Sequence, residues 1–537
     1  MPHGRELKRT NESGMKNLKF LPALGLCTLS GCLWFLAVTP FDQAYLAWIA
    51  SVPMIVAIER TTNFRHALFL GWWAGVIETA GGFYWLIDVM QRFADFPWIG
   101  AAPIFLLFCA ARGLIFLVFT VIVLGVRRRL KLPMTLLAPL AMVSGELLIP
   151  QIFPCGQWIS QAWHPLVIQI TEITGPFGVT AVLMMINGAL YDVLHDPRAA
   201  RWPAAAAVVL LAAVLLFGAT RMRQVDAAIA AAPRLMIGLV QPNFAYSASG
   251  EVSREETLHQ LEVLQQQSAR LQRVGAQLLL WSEGSYPIAL PRNFNVDFSP
   301  DSLARIRRGF DVPTIIGAAM YDEVHDDAYN SAVLLDRLGK VGGLYDKVRL
   351  LAFGEYIPGI DAFPWLRKFL PEGAGRFNAG AGPAVLPFAN GSGANWRVAP
   401  VICYEDILSG YLQRVGQLRP NLLVNLTSDS WFGADTEPWE HLALSVFASV
   451  ELRVSMVRAV NSGVSALIDA NGRVVKKTYA DDPYLHPRDA DGILVSTPIM
   501  TPPPTVFARV GNLFATLCTA ASAALMGLSW YLLRRSR

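Results

Sequence analysis

Charged residues are scarce in this chain. Asp, Glu, Lys and Arg fill only 16% of its 537 positions, against about 25% in a soluble globular protein. Hydrophobic residues fill 53%, and this shortfall of charge points to a membrane protein. Neither sign dominates: the net charge is +4, which argues against a dedicated nucleic-acid binder. Cysteine is also sparse. Of Cys27, Cys32, Cys109, Cys155, Cys403 and Cys518, only Cys403 lies in the more polar stretch 233–500. A lone thiol there has no partner for an internal disulfide, so any role it has must come from other chemistry. The apolar runs show no internal repeat, which makes a transporter the least favoured reading.

Crossing a bilayer as a helix takes about 20 apolar residues. Candidate spans cover roughly 18–38, 44–60, 66–90, 98–126, 132–150, 174–194, 202–219 and 510–533, eight in all. Lys and Arg gather in the N-terminal tail (Arg5, Lys8, Arg9, Lys16), at Arg60 and Arg65, at Arg127–Lys131, at Arg198 and Arg201, and in the C-terminal tail (Arg534, Arg535, Arg537). With eight alternating helices all five clusters fall on one side, and the positive-inside rule makes that side the cytoplasm. Arg92, Arg221 and Arg223 are minor exceptions. The expected arrangement is a multi-pass protein of the bacterial inner membrane, with both termini cytoplasmic and a periplasmic soluble domain. Its expected units are 1–220 (seven spans), 221–505 (the soluble domain) and 506–537 (a final span and basic tail). The string Leu29-Ser30-Gly31-Cys32 fits a lipoprotein cleavage box, but the apolar run continues through Val38, so a retained first helix is the better reading. Glu78, Asp88, Arg112 and Glu146 are polar residues within the spans, and Arg112 sits deep enough to need a partner.

After Pro233 the pattern changes to short strand-like runs. Strands are expected at 235–240, 278–281, 313–320, 331–336, 397–403, 421–427, 463–468, 473–478 and 492–497. Amphipathic or long helical segments are expected at 254–273 and about 439–459. Strands alternating with helices, then hairpins, suggest a layered α/β domain. Glu283 closes the strand Leu278–Ser282, Cys403 closes Val398–Ile402, and Lys347 lies in Tyr345-Asp346-Lys347-Val348-Arg349. Polar groups at strand ends can converge on one crevice. Taken singly, each has a plainer reading, as a small core residue, a solvated loop acid or a surface lysine.

Their context narrows the choice. Leu239-Val240-Gln241-Pro242-Asn243, Trp281-Ser282-Glu283, Phe353-Gly354-Glu355-Tyr356-Ile357-Pro358, Ile402-Cys403-Tyr404-Glu405, Trp431-Phe432-Gly433 and Pro438-Trp439-Glu440-His441 follow one another in order, after Phe153-Pro154 and Thr174-Gly175-Pro176-Phe177-Gly178-Val179 in the apolar half. The soluble half resembles the nitrilase (carbon–nitrogen hydrolase) superfamily, and the whole chain resembles the apolipoprotein N-acyltransferase family. The resemblance implies a membrane helical unit joined to a nitrilase-like αββα sandwich. It also implies Glu283, Lys347 and Cys403 as a catalytic triad, Glu355 and Glu405 as supporting carboxylates, and Tyr404, Trp431 and Phe432 as an apolar wall beside a thioester. The implied partners are a phospholipid acyl donor and a diacylated lipoprotein acceptor, used by a membrane-bound monomer that needs no cofactor and no metal. The chain departs from the family pattern at Ser282, where Pro is usual, and at Ser428-Asp429-Ser430, where Asn-Asp is common. It also has no Trp in Phe244–Glu256. Two other readings use the same residues differently: a membrane-tethered amidase that resolves the thioester with water, and a catalytically silent lipoprotein-binding scaffold.

Overall fold

The computed structural model describes residues 17–93, 96–127, 129–244, 253–359, 363, 365, 377–389, 395–432, 436–478 and 492–535. Its first half is helical: α1 (Phe20–Leu36), α2 (Val52–Arg60), α3 (Phe64–Gly82), α4 (Leu86–Phe93), α5 (Trp98–Arg112), α6 (Leu114–Arg127), α7 (Met134–Leu148), the short α8 (Pro165–Ile168) and α9 (Thr171–Thr174), α10 (Phe177–His195) and α11 (Pro197–Ala231). Among the described residues four helices are long and apolar enough to cross a membrane: Trp98–Arg127, Phe177–His195, Pro197–Ala231 and the C-terminal Leu513–Arg535. Phe20–Leu36 and Met134–Leu148 are shorter apolar helices.

Two expected spans are broken. The 44–60 segment is a 3-10 turn, Ala44–Trp48, followed by the nine-residue α2. The 66–90 segment divides into α3 and α4. The divide falls at Phe83-Tyr84-Trp85, whose aromatic side chains reach toward the second half of the chain, as described below. At the other extreme α11 has 35 residues, about 52 Å at 1.5 Å per residue. It therefore outruns a hydrocarbon core of about 30 Å. Its last turns pack Val225 against Ala470 and Met500, and Asp226 pairs with Arg473.

The second half holds β1 (Arg234–Leu239), α12 (Arg254–Arg273), β2 (Leu278–Leu280), β3 (Tyr286–Pro291), β4 (Thr314–Asp322), β5 (Asp327–Leu335), β6 (Val341–Asp346), β7 (Leu386–Ala389), β8 (Asn395–Ile402), α13 (Ser409–Gln417), β9 (Leu422–Thr427), α14 (Glu437–Leu452), β10 (Met456–Val460), β11 (Ala466–Ile468), β12 (Val474–Lys477) and β13 (Ile493–Pro498). α15 (Val506–Val510) and α16 (Leu513–Arg535) end the chain. The strands form two sheets. One runs β13-β1-β2-β4-β5-β6 with β3 paired to β4, and the other runs β12-β11-β10-β9-β8-β7.

The period-two alternation of the strands builds the layers. In β8, Val398 and Ile402 face Leu235, Leu278 and Ile315 of the other sheet, while Ala399 and Val401 face the helical side with Leu442 and Val446 of α14. Leu261, Leu264 and Leu271 of α12 cover the outer face of the first sheet over Leu279 and Ile316. The domain is thus a helix–sheet–sheet–helix sandwich, and α14 packs in one apolar cluster with Trp158, Ile159 and Ile168 of the first half.

The helix expected at 439–459 ends early. Arg453 takes the left-handed conformation (φ 54°), and Met456–Val460 becomes β10, parallel to β9. The Arg453 side chain is fully buried. It donates to Glu172 at 2.5 Å, to Gln169 at 2.7 Å and to the Ala470 carbonyl at 3.0 Å, while Arg221 of α11 donates to Glu172 at 2.8 Å. The two halves are therefore joined through a buried charge whose partner lies in the other half. Arg453→Ala should lower stability by about 1–3 kcal/mol, because it removes the buried bonds to Glu172, Gln169 and the Ala470 carbonyl while Glu172 keeps Arg221. Thermal unfolding of the detergent-solubilised protein measures this, and an unchanged midpoint would count against the buried pair as a joint.

Candidate active site

Three of the expected residues meet at one end of the sandwich. Glu283 follows β2 in a tight turn with Gly284 at φ 56°. The turn lies directly against β4: a Cβ on Gly317 would stand 2.2 Å from the Ser282 carbonyl and 2.7 Å from the Glu283 Cα. Only a glycine there lets the Glu283 backbone seat so closely. Lys347 follows β6 and is pinned through its backbone, its N–H donating to the Asn330 carbonyl and its carbonyl accepting from Gly380 N–H, both at 2.8 Å. Cys403 follows β8 at φ 51°, a conformation costly for a non-glycine residue and common at functional sites.

The Lys347 ammonium is 1% exposed and lies between two carboxylates, 3.0 Å from Glu283 Oε1 and 2.8 Å from Glu355 Oε2. Asn330 bridges the same two acids, donating to Glu283 at 2.7 Å and to Glu355 at 2.9 Å. Glu355 also accepts from the Leu351 N–H at 2.9 Å. Glu405 is fully buried and serves the backbone. It accepts from the N–H groups of Ile402, Val348 and Arg349 and from the Tyr345 hydroxyl at 2.6–2.9 Å. One carboxylate therefore ties the Cys403 turn to the Lys347 loop. Burial pushes its carboxyl up to about 7, against the pull of those bonds.

Electrostatics set the resting protonation. Burial lowers the affinity of Lys347 for its proton, but Glu283 and Glu355 outweigh burial and hold its pKa well above the ordinary value, so it stays charged. Burial raises Glu283, with Lys347 opposing and Glu355 adding to the rise. Burial and the Glu283 charge hold the Cys403 thiol well above its usual pKa, with Lys347 opposing. The site at rest is thus a neutral thiol beside a carboxylate of raised basicity and a fixed ammonium. Such a thiol becomes a nucleophile by giving up its proton as it attacks.

Cys403 opens onto a small cavity, about 30 Å³, whose far wall comes from the first half of the chain: Phe83, Trp85 and Phe153. Phe432 is 8% exposed and meets Trp85 edge-to-face with ring centres 5.5 Å apart. Arg112 finds its partners here. It donates to Gln151 at 2.5 Å and to the carbonyls of Phe153 at 3.1 Å and Cys155 at 2.7 Å, and its guanidinium lies over the Phe83 ring. The Arg112 guanidinium thereby fixes the loop that carries Phe153. Half-buried Tyr404 lines both this cavity and a wider groove of about 610 Å³ between the two halves, bounded by Glu146, Pro154, Arg349 and Tyr356. The Trp431 side chain lies outside the described residues.

The sequence reading missed Asn330 and the cluster behind the cavity. Asn330 had only a faint signal, an amide two residues before the apolar run Ala332–Leu335. In the cluster, His441 bonds Asp429 through Nδ1 at 3.1 Å and Asp406 through Nε2 at 3.0 Å, and Asp406 is held by Arg458 and Ser445. Asp429, Glu437 and His441 are close enough to share a metal ion. Burial and Arg458 work against a charged His441, but Asp406 and Asp429 prevail and push it up to about 10. Both ring nitrogens then donate protons, one to each carboxylate.

Comparison with known proteins matches this architecture. Residues 30–189 match the family described as "Apolipoprotein N-acyltransferase N-terminal domain", and residues 236–482 match "Carbon-nitrogen hydrolase". An apolipoprotein N-acyltransferase of Geobacter metallireducens is 28% identical over 519 residues, covering 94% of this chain and 95% of the relative. One from Bradyrhizobium diazoefficiens is 31% identical over 372 residues, covering 66% of this chain and 65% of the relative. Among solved structures, an amidase from Nesterenkonia sp. is similar at 17% identity over 52% of this chain and 94% of that chain, with a TM-score of 0.35. The second half is therefore an enzyme domain of the carbon–nitrogen hydrolase superfamily. With the matched helical half preceding it, the chain is similar over nearly its whole length to apolipoprotein N-acyltransferases, and is an N-acyltransferase by homology.

Proposed function

We propose that this protein moves an acyl chain from a phospholipid to the N-terminal amine of diacylglyceryl-cysteine lipoproteins, through a thioester on Cys403. The observation that carries this reading is the cavity over Cys403, which is walled by Phe83, Trp85 and Phe153 of the apolar helical half. A hydrolase of soluble substrates has no use for a nucleophile facing that half.

In the first half-reaction Glu283 takes the thiol proton as sulfur attacks the ester carbonyl. Lys347 and the Tyr404 backbone N–H stabilise the oxyanion, and one such donor is typically worth about 100- to 1000-fold in rate. As the carbon–oxygen bond breaks, Glu283 returns the proton to the departing lysophospholipid oxygen. In the second half-reaction the acceptor amine attacks the thioester, again with Glu283 as base. Glu355 and Asn330 orient Lys347 and Glu283, while Glu405 holds the Cys403 turn. Tyr404, Trp431 and Phe432 form the apolar wall that keeps water from the thioester. No cofactor takes part.

We further propose the membrane arrangement read from the basic clusters: eight passes, two of them interrupted as described above, the units 1–220, 221–505 and 506–537, a periplasmic catalytic domain and cytoplasmic termini, acting as a monomer. Labelling of engineered cysteines with an impermeant reagent should find positions 250 and 380 outside and 128 inside. Cytoplasmic labelling of the catalytic half would overturn the orientation. The activity is tested with purified protein, a labelled phospholipid and a diacylated lipopeptide. Triacylated product is the expected outcome, and its absence under conditions that consume the phospholipid would contradict the reading.

A further inference from the structure

Acyl transfer to an amine raises a question of proton count. The acceptor exists in water as an ammonium and ends as an amide, so nitrogen loses two protons. Glu283 can carry one of them to the departing Cys403 sulfur. The other needs a second acceptor beside the thioester.

Glu437, the first residue of α14, is a wall of that cavity. Its side chain is 9% exposed, and among the described residues its Oε2 has no hydrogen-bond partner. The nearest cation, His441 Nδ1, is 3.9 Å from Oε1 and is already hydrogen-bonded to Asp429. Glu440 accepts from the Trp85 indole N–H at 3.0 Å, and Asp406 is held by His441, Ser445 and Arg458; Asp429 also keeps an unpartnered Oδ2, but it is not one of the cavity's walls. A buried carboxyl oxygen with no partner carries a desolvation cost that a bound donor would relieve.

We propose that Glu437 is the subsite for the acceptor's ammonium and the second proton acceptor of the aminolysis step, a role that rests on the acyl-transfer reading above. Burial holds its carboxyl well above the ordinary range, with Asp429 and Glu440 adding to the rise and His441 and Arg458 opposing it. Burial therefore favours the protonated acid in the empty site. An entering ammonium supplies the missing countercharge, and Glu437 releases its proton to solvent. The ammonium then passes a proton to Glu437, and the free amine attacks the thioester carbonyl, forming the carbon–nitrogen bond. The second nitrogen proton goes to Glu283. When the carbon–sulfur bond breaks, Glu283 returns that proton to sulfur. Each turnover leaves Glu437 protonated and Glu283 ionised as they began, and one proton has gone to solvent.

The test follows discharge of acyl-Cys403, preloaded from phospholipid alone, by two amines. One is a diacylated lipopeptide, cationic at pH 7. The other is hydroxylamine, largely neutral at pH 7, which has one proton fewer to lose. Glu437→Gln should load Cys403 and discharge to hydroxylamine within about twofold of wild type, but discharge to lipopeptide about 100-fold more slowly, the typical worth of a positioned base. Glu437→Asp, which keeps the acid, should recover part of the lipopeptide rate. Lipopeptide discharge within about twofold of wild type in the Gln variant would overturn the inference. So would a parallel loss of loading or of both discharges, which marks a structural role. A wild type that forms no acyl-Cys403 would instead overturn the acyl-transfer reading itself, and this inference with it.

Discussion

Cys403→Ser is expected to abolish formation of triacylated lipopeptide, a loss on the order of 10⁴-fold or more, while the protein folds as before. The substitution exchanges one atom of a nearly buried side chain (7% exposed) and leaves its backbone, at φ 51°, free to keep the same turn. Chemistry accounts for the size of the effect. A hydroxyl holds its proton far more tightly than a thiol, and Glu283 is a carboxylate whose basicity is raised but still modest. Without a nucleophilic sulfur, Lys347 has no oxyanion to stabilise. Product is measured by mass spectrometry and folding by thermal unfolding. A fully folded variant with activity near wild type would remove Cys403 from the mechanism.

Glu283→Gln should slow acylation by about 100- to 10,000-fold, the range of a positioned general base. The amide can keep the local geometry, because its oxygen can still accept from both Asn330 and Lys347, as Glu283 Oε1 does at 2.7 and 3.0 Å. It cannot take the thiol proton. The pH dependence separates the two roles. Only the ionised form of Glu283 is a base, and burial raises its pKa. Wild-type acylation should therefore fall as pH drops, with a midpoint above the ordinary Glu value of about 4.3, and this limb should vanish in the Gln variant. Rapid-quench measurement of acyl-Cys403 across pH reads both effects. If the variant keeps the wild-type limb, Glu283 is not the group being titrated.

How much of this was legible in the sequence depended on range. Glu283, Lys347 and Cys403 each close or follow a strand, and each sits in a short local string, so their positions could be read one at a time. The apolar run Val398–Ile402 announced the strand that Cys403 closes. Asn330 was not legible as a site residue, because its partners Glu283 and Glu355 lie 47 and 25 positions away. β10 was missed because Met456–Val460 continues the apolar run of α14, and only the left-handed turn at Arg453, locked to Glu172 281 positions earlier, divides them. The wall over the nucleophile was hidden for a related reason. Phe83 and Trp85 read as the interior of one long span, whereas the chain turns there and hands both rings to the other half. Arg112 announced itself as a charge in need of a partner. Its partners, an amide and two carbonyls of the loop around Phe153, carry no charge that the sequence could match to it.

The central claim is that Cys403 holds an acyl chain for an amine rather than for water. Purified protein given labelled phospholipid alone, followed by mass spectrometry of the Cys403 peptide, tests it most directly. The account predicts that the label forms on Cys403, persists while no acceptor is present, and is discharged into triacylated product when diacylated lipopeptide is added. Label that disappears as fast without lipopeptide as with it would make water the second substrate and the protein a membrane-tethered hydrolase.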